Sequence, residues 1–167
     1  MKIWRVCYYI GMKKIVKKED LKNLAKEIIG VIKNRTKEGA VILALSGDLG
    51  AGKTTFTKEI AKHFKIKKEI VSPTFVIMKN YEIKDDKFKN LIHIDAYRLE
   101  KGEDLKVLGW QELINNKNNL IIIEWPEMAE SHLPKDTFVM KISHRDEETR
   151  IFEICYNVDN GKRTKYK

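Results

Sequence analysis

Eight consecutive residues, Gly47-Asp48-Leu49-Gly50-Ala51-Gly52-Lys53-Thr54, satisfy the pattern GxxxxGK[ST]. That spacing suits phosphate binding for a physical reason. Glycines let the backbone curl until successive N–H groups point inward at phosphate oxygens, and a helix opening at the lysine adds the positive end of its dipole. Lys53 then reaches the β- and γ-phosphates, and the Thr54 hydroxyl is a ligand for Mg²⁺. Thr55, on the same first turn, is placed to donate to an α-phosphate, while Asp48, Gly50, Ala51 and Gly52 form the wall of the cradle. A site of this kind also needs an acid at the end of a neighbouring strand to hold Mg²⁺ or its water. Asp95 closes the run Leu91-Ile92-His93-Ile94-Asp95, and Glu124 closes Leu120-Ile121-Ile122-Ile123-Glu124. Ligands of open α/β sheets gather at the carboxyl ends of strands, so both acids qualify, and the residues alone do not choose between them.

The elements that must position these groups are visible in the periodicity. Glu19 to Lys37 carries Leu21, Leu24, Ala25, Ile28, Ile29 and Ile32 on one helical stripe, with Gly39 expected to end the helix. Val41 to Leu45 is an apolar run short enough for a buried strand, and a second helix is expected from Lys53 to Phe64. After the turn Ser72-Pro73 comes a β-rich run, Thr74 to Glu82, continuing into a polar hairpin or loop from Lys79 to Lys89. Leu91 to Asp95 and Leu120 to Glu124 are strands, with a helix from Glu103 to Asn115 and an Asn-rich loop, Asn115 to Asn119, between them. Two alternating strands follow, around Phe138 to Ile142 and Ile151 to Tyr156, joined by the charged turn His144 to Thr149. The interleaving predicts a single α/β domain of the P-loop NTPase kind, its mixed, mostly parallel sheet flanked by helices. Its limits are expected at 15–158, with an N-terminal extension or strand at 1–14 and a basic, unstructured tail at 159–167.

Composition narrows the class. The chain has 167 residues, is 43% hydrophobic and 34% charged, and has only 3 Pro and 9 Gly, which excludes disordered and fibrous chains. Apolar runs reach five or six residues, far short of the roughly 20 a membrane helix needs. Arg5 interrupts the apolar patch near the start and no small-residue cleavage pattern follows, so no signal peptide is expected, and residues 1–11 read as dispensable because Met12 could itself be a start. Cys7 and Cys155 lie at opposite ends without CxxC spacing, which fits a reducing cytoplasm. His63, His93, His132 and His144 are scattered without metal-ligand spacing, and His93, inside a strand, suits a hydrogen-bonded structural role at least as well as a catalytic one. Trp110 and Trp125 read as packing residues, with Trp125 also close enough to Glu124 to sit at the mouth of the site. Guanine-specific proteins carry N/TKxD, whereas Asn116-Lys117-Asn118-Asn119 lacks the aspartate, so ATP is the expected nucleotide.

Five segments together resemble the TsaE (YjeE) family, the bacterial ATPase of tRNA threonylcarbamoyladenosine (t6A) biosynthesis: GDLGAGKTT at 47–55, SPTF at 72–75, HIDAYRL at 93–99, LGWQELI at 108–114 and IEWPE at 123–127. The resemblance spans about residues 15–157 and is carried by the order and spacing of the motifs. It implies one domain that binds ATP and Mg²⁺ and joins a TsaB–TsaD heterodimer that modifies tRNA, with hydrolysis resetting the complex between turnovers and little turnover without partners. It implies that Lys53 and Thr54 keep the roles above and that Thr74 faces the γ-phosphate from a switch-like loop. Asp95 and Glu124 become the acidic pair, with Glu124 the better candidate for the Mg²⁺ shell. Trp125 flanks the site, and Arg150, in EETRIFEI, helps hold the nucleotide. The residues before Met12 and the tail after Asn160 have no counterpart in the family pattern.

Two other classes use some of these features. A small-molecule or nucleotide kinase shares the phosphate loop and strand-end acids but needs an arginine-rich lid, and only Arg145 and Arg150 lie close together. A non-catalytic RNA-binding module would account for the net charge of +9, but the chain lacks aromatic RNP-like patterns and a GXXG clamp, and that class leaves the phosphate loop unexplained. The charge is also unevenly spread. Residues 1–40 carry eleven basic and four acidic side chains and 162–167 four basic and none acidic, whereas 41–161 carry 18 basic and 20 acidic.

Overall fold

Two apolar runs fix the centre of the molecule. Val41–Ser46 and Asn119–Glu124 form strands in which every residue is buried, and a strand buried on both sides must be covered by helices on both faces. The computed structural model describes residues 10–35, 38–100 and 103–155. In chain order the elements are β1 (Ile10–Lys17), α1 (Leu21–Lys33), β2 (Val41–Ser46), α2 (Lys53–His63), β3 (Met78–Glu82), β4 (Asn90–Asp95), α3 (Asp104–Val107), α4 (Trp110–Asn115), β5 (Asn119–Glu124), β6 (Phe138–His144) and β7 (Thr149–Cys155). The sheet order is β1-β7-β6-β2-β5-β4-β3. Its centre, β6-β2-β5-β4, is parallel, while β3 and β7 run the other way and pair antiparallel with their neighbours. The mixed, mostly parallel sheet flanked by helices is therefore present.

One face packs Leu43, Leu45, Leu91, Ile122 and Met140 against Leu24, Ile28 and Ile32 of α1 and Phe56 and Ile60 of α2. The other packs Ile42, Ala44, Ile94, Ile121 and Ile123 against Leu105 of α3 and Trp110 of α4. Trp110 is buried and its Nε1 donates to the His132 carbonyl at 3.0 Å, in keeping with its reading as a packing residue. No helix among the described residues is long and apolar enough to cross a membrane.

Several boundaries differ from the sequence reading, each for a local reason. α1 stops at Lys33 and not near Lys37, because Lys87 Nζ donates to the carbonyls of Lys33 and Arg35, 2.6 Å each, and Arg35 turns back to the Ala40 carbonyl and to Asp136. The segment 74–77 is a turn and not a strand. The amides of Val76 and Ile77 both bond to the Pro73 carbonyl, and Ile77 takes φ 63°. The helix expected over Glu103–Asn115 is broken into α3 and α4 at Gly109, which has φ 70°. β6 and β7 are longer than their apolar cores, so the turn between them shrinks to 145–148. β1 runs across residue 15, so 10–14 is strand, whereas Cys7, Tyr156 and the expected tail lie outside the described residues.

Candidate functional site

The phosphate loop bridges the end of β2 and the first turn of α2. Gly47 has φ 149°, and a Cβ there would lie 2.2 Å from the Ile142 carbonyl oxygen on β6, so any side chain would push the loop off the sheet. The first backbone bond of α2 runs from Phe56 N–H to the Gly52 carbonyl at 2.9 Å, which leaves the amides of Lys53, Thr54 and Thr55 without partners inside the helix. These amides, with the helix dipole behind them, make an anion site. Added Cβ atoms at Gly50 and Gly52 would meet nothing within 4 Å, so there is open space beside the loop for a ligand.

The Lys53 side chain is buried, 5% exposed, and its Nζ donates to the carbonyls of Gly47 (2.6 Å) and Asp48 (2.9 Å). The ammonium also lies 3.8 Å from the centre of the Trp125 ring. Burial lowers its pKa from the ordinary 10.5, and the charges of Glu124, Glu127, Asp95 and Asp48 pull the other way without cancelling that effect. Four acids thus surround one buried cation, two of them the strand-end pair read from sequence.

Those two are cross-strand neighbours. Asp95 of β4 pairs in register with Glu124 of β5, which in turn pairs with Leu45 at the end of β2, so both carboxylates face the side on which α2 packs. Glu124 is 2% exposed; its Oε2 accepts from the Thr54 hydroxyl at 2.9 Å and its Oε1 lies 2.7 Å from His93 Nε2. Asp95 is 3% exposed and does different work. Its Oδ2 accepts from Ser72 Oγ at 2.6 Å and from Thr74 Oγ1, and its Oδ1 accepts from the Tyr97 amide at 3.1 Å. Asp95 therefore ties the SPTF loop to the end of β4, whereas Glu124 touches the Thr54 hydroxyl at the start of α2.

Thr54 and Glu124 offer hard oxygen donors of the kind Mg²⁺ prefers. No cluster of three or more His, Cys, Asp or Glu among the described residues forms a metal cage, so a cation here would draw its remaining ligands from phosphate and water, as Mg²⁺ characteristically does. The residues present fit a nucleotide triphosphate with its magnesium ion.

The sequence-read residues divide into two groups. Asp48, Lys53, Thr54, Thr74, Asp95, Glu124 and Trp125 converge on one spot. Arg150 and Thr55 line a cavity of about 210 Å³ built against the loop residues Gly50, Ala51 and Gly52, and Arg150 donates to the carbonyls of Asp146 (2.8 Å) and Thr149 (2.9 Å) in its own turn. Three participants, Ser46, Ser72 and Glu127, were missed, and His93, read as a hydrogen-bonded strand residue, takes up that role at the site. Ser46 donates to Glu127 Oε1, Ser72 binds Asp95, and His93 is bonded to Glu124. Each had a signal: Ser46 precedes the first loop glycine, Ser72 and Glu127 belong to the SPTF and WPE motifs, and His93 lies two residues before Asp95, hence on the same face of β4. Trp125 takes φ 57°, which turns its indole toward Lys53 and to within 5.1 Å of the Tyr97 ring.

Comparison with known proteins gives a consistent result. The family described as "Threonylcarbamoyl adenosine biosynthesis protein TsaE" matches residues 15–152. The tRNA threonylcarbamoyladenosine biosynthesis protein TsaE of Rickettsia prowazekii (strain Madrid E) is 38% identical over 138 residues, covering 82% of this chain and 89% of that protein. The protein of the same name from Haemophilus influenzae is 32% identical over 125 residues, 75% of this chain and 76% of that one. Among solved structures, that of Bacillus subtilis YdiB superimposes with a TM-score of 0.64 at 29% identity, over 87% of this chain and 86% of that one.

Proposed function

The chain belongs to the TsaE family of threonylcarbamoyl adenosine biosynthesis, and from that premise we propose that it is a Mg²⁺-dependent P-loop ATPase serving tRNA t6A formation beside TsaB- and TsaD-type partners in the cytoplasm. The observation that carries the reading is the meeting of Lys53, Thr54 and Glu124 at the start of α2, with the Thr54 hydroxyl donating to Glu124 beside the buried Lys53 ammonium.

In this mechanism the amides of residues 53–55 and the α2 dipole bind the phosphate chain, and Lys53 exchanges the Gly47 and Asp48 carbonyls for β- and γ-phosphate oxygens. A bound Mg²⁺ would supply neutralisation of phosphate charge. Thr54 and Glu124, already joined by a hydrogen bond, would hold that ion through their side-chain oxygens. Asp95 holds the 72–75 loop through Ser72 and Thr74, and the Thr74 hydroxyl would exchange Asp95 for the terminal phosphate when nucleotide binds. Thr55 and Arg150, in the cavity against Gly50, Ala51 and Gly52, would meet the rest of the nucleotide. Hydrolysis resets the partner complex between turnovers, and turnover in isolation is slow because the attacking water is fully positioned only in the complex.

The test is multiple-turnover t6A formation with purified partners and tRNA, alongside ATP hydrolysis measured with and without them. Lys53→Ala is expected to abolish sustained t6A formation while the protein stays folded, and wild-type hydrolysis is expected to rise when partners are added. Full multiple turnover by Lys53→Ala would overturn the proposal, and phosphate transfer to a small acceptor in place of water would reassign the chain as a kinase.

A further inference from the structure

Glu124 has each carboxylate oxygen engaged by a different side chain, and only one of those side chains belongs to the phosphate loop. Oε2 accepts from Thr54 at 2.9 Å, and Oε1 meets His93 Nε2 at 2.7 Å. His93 is fully buried, at 0% exposure, and its in-register partner on β5 is Ile122, so the ring reaches diagonally along the sheet to Glu124. Its other nitrogen, Nδ1, is buried with no hydrogen-bond partner. A carboxylate only accepts, so the ring hydrogen belongs on Nε2, and the unpartnered Nδ1 is the bare lone pair, not a stranded N–H. Without His93, Oε1 would be a buried carboxylate oxygen lacking a donor. Glu124 would then be drawn to turn toward other donors, and Oε2 would leave Thr54.

We infer that His93 is a positioning residue which, as its Nε2–H tautomer, fixes the rotation of Glu124 and so points Oε2 at Thr54 and the cation shell. The inference rests on Glu124 belonging to that shell. Hydrogen bonds to the far side of metal-shell ligands typically change metal affinity by about 10- to 100-fold when removed. The role differs from that of Asp95, whose oxygens are committed to Ser72, Thr74 and the Tyr97 amide.

The test measures ATP binding by calorimetry at graded Mg²⁺ concentrations, and again with the metal chelated, for wild type, His93→Leu and His93→Gln. His93→Leu is expected to raise the Mg²⁺ concentration needed for half-maximal tight binding by about tenfold while leaving metal-free ATP binding unchanged. His93→Gln, whose side-chain N–H can reach the same oxygen, is expected to restore the requirement to within about twofold of wild type. In a Glu124→Ala background His93→Leu should add nothing, since residues acting through one another are not additive. A wild-type Mg²⁺ requirement in His93→Leu, or an undiminished shift in the Glu124→Ala background, would overturn the inference. If Glu124→Ala alone left the requirement unchanged, the metal role of Glu124 would fall and take the inference with it, a pattern distinct from either of those. Should His93→Leu not fold, nitrogen-15 NMR of the wild-type imidazole decides: a slowly exchanging Nε2–H is expected, and an Nδ1–H tautomer would overturn the assignment.

Discussion

Lys53 shows how one side chain can be needed for ligand binding and unfavourable for folding. Its ammonium is buried, and that burial outweighs the attraction of Glu124, Glu127, Asp95 and Asp48, so its folded pKa lies below 10.5. A lysine whose pKa falls on folding destabilises the native state at every pH where it is charged in both states. The penalty fades as pH rises through the folded pKa toward 10.5, where the unfolded chain also loses its proton. Lys53→Met is therefore expected to lose nucleotide binding yet to be at least as stable as wild type near pH 7, with the difference shrinking as pH rises toward 10.5. Chemical denaturation of both proteins between pH 7 and 10.5 checks it; a destabilised Lys53→Met at neutral pH would mean that the Gly47 and Asp48 hydrogen bonds outweigh the burial.

At the scale of elements, the end of α1 is held by a part of the chain far away in sequence. Asp85, in the connection from β3 to β4, accepts from Lys33 and from the amides of Lys87 (3.1 Å) and Phe88 (3.2 Å), while Lys87 Nζ caps the carbonyls of Lys33 and Arg35. Burial alone would raise the Asp85 pKa, but the Lys33 hydrogen bond and the two amides bring it below 3.8. A carboxylate with a depressed folded pKa contributes stability above its unfolded pKa and loses that contribution as pH falls through the folded one. Asp85→Asn is expected to cost about 1 to 2 kcal/mol at pH 7 and to flatten stability against pH below about 4, measured by urea unfolding across pH 2.5–7. Nucleotide affinity should be unaffected, because this clamp lies at the end of the sheet opposite the carboxyl ends of β4 and β5.

At the scale of the molecule, the charge that first suggested nucleic acid belongs mostly to parts of the sequence other than the one that carries the proposed site. The segment 41–161, which contains every residue of the proposed site, is slightly acidic, whereas residues 1–40 and 162–167 carry the positive excess. Every group the proposed site uses lies within 41–161, so the terminal lysines are expected to have little influence on phosphate binding. Replacing Lys162, Arg163, Lys165 and Lys167 with Gln is expected to leave ATP affinity within about twofold, and to weaken and flatten the salt dependence of association with a tRNA-bearing partner complex. Titration at several salt concentrations tests both halves, and a large loss of ATP affinity would place the tail at the nucleotide site.

The order of elements, the phosphate loop and the two strand-end acids were legible because each depends on local sequence: a buried strand is a short apolar run, and a phosphate loop is a run of glycines before Lys and Thr. Gly109 was harder to read, since Leu105, Leu108 and Leu113 keep one helical spacing through a backbone that has in fact turned. What the sequence left open was which of Asp95 and Glu124 meets the phosphate loop, because both end apolar strands in the same way. Only the register of β4 and β5, and the docking of α2 on one face of the sheet, gives Asp95 to the 72–75 loop and Glu124 to Thr54. His93 follows from the same cause. A histidine inside a strand is chemically anonymous until the sheet sets it diagonally beside Glu124, because strand register, which is a property of the folded sheet and not of either run alone, decides which side chains share a face.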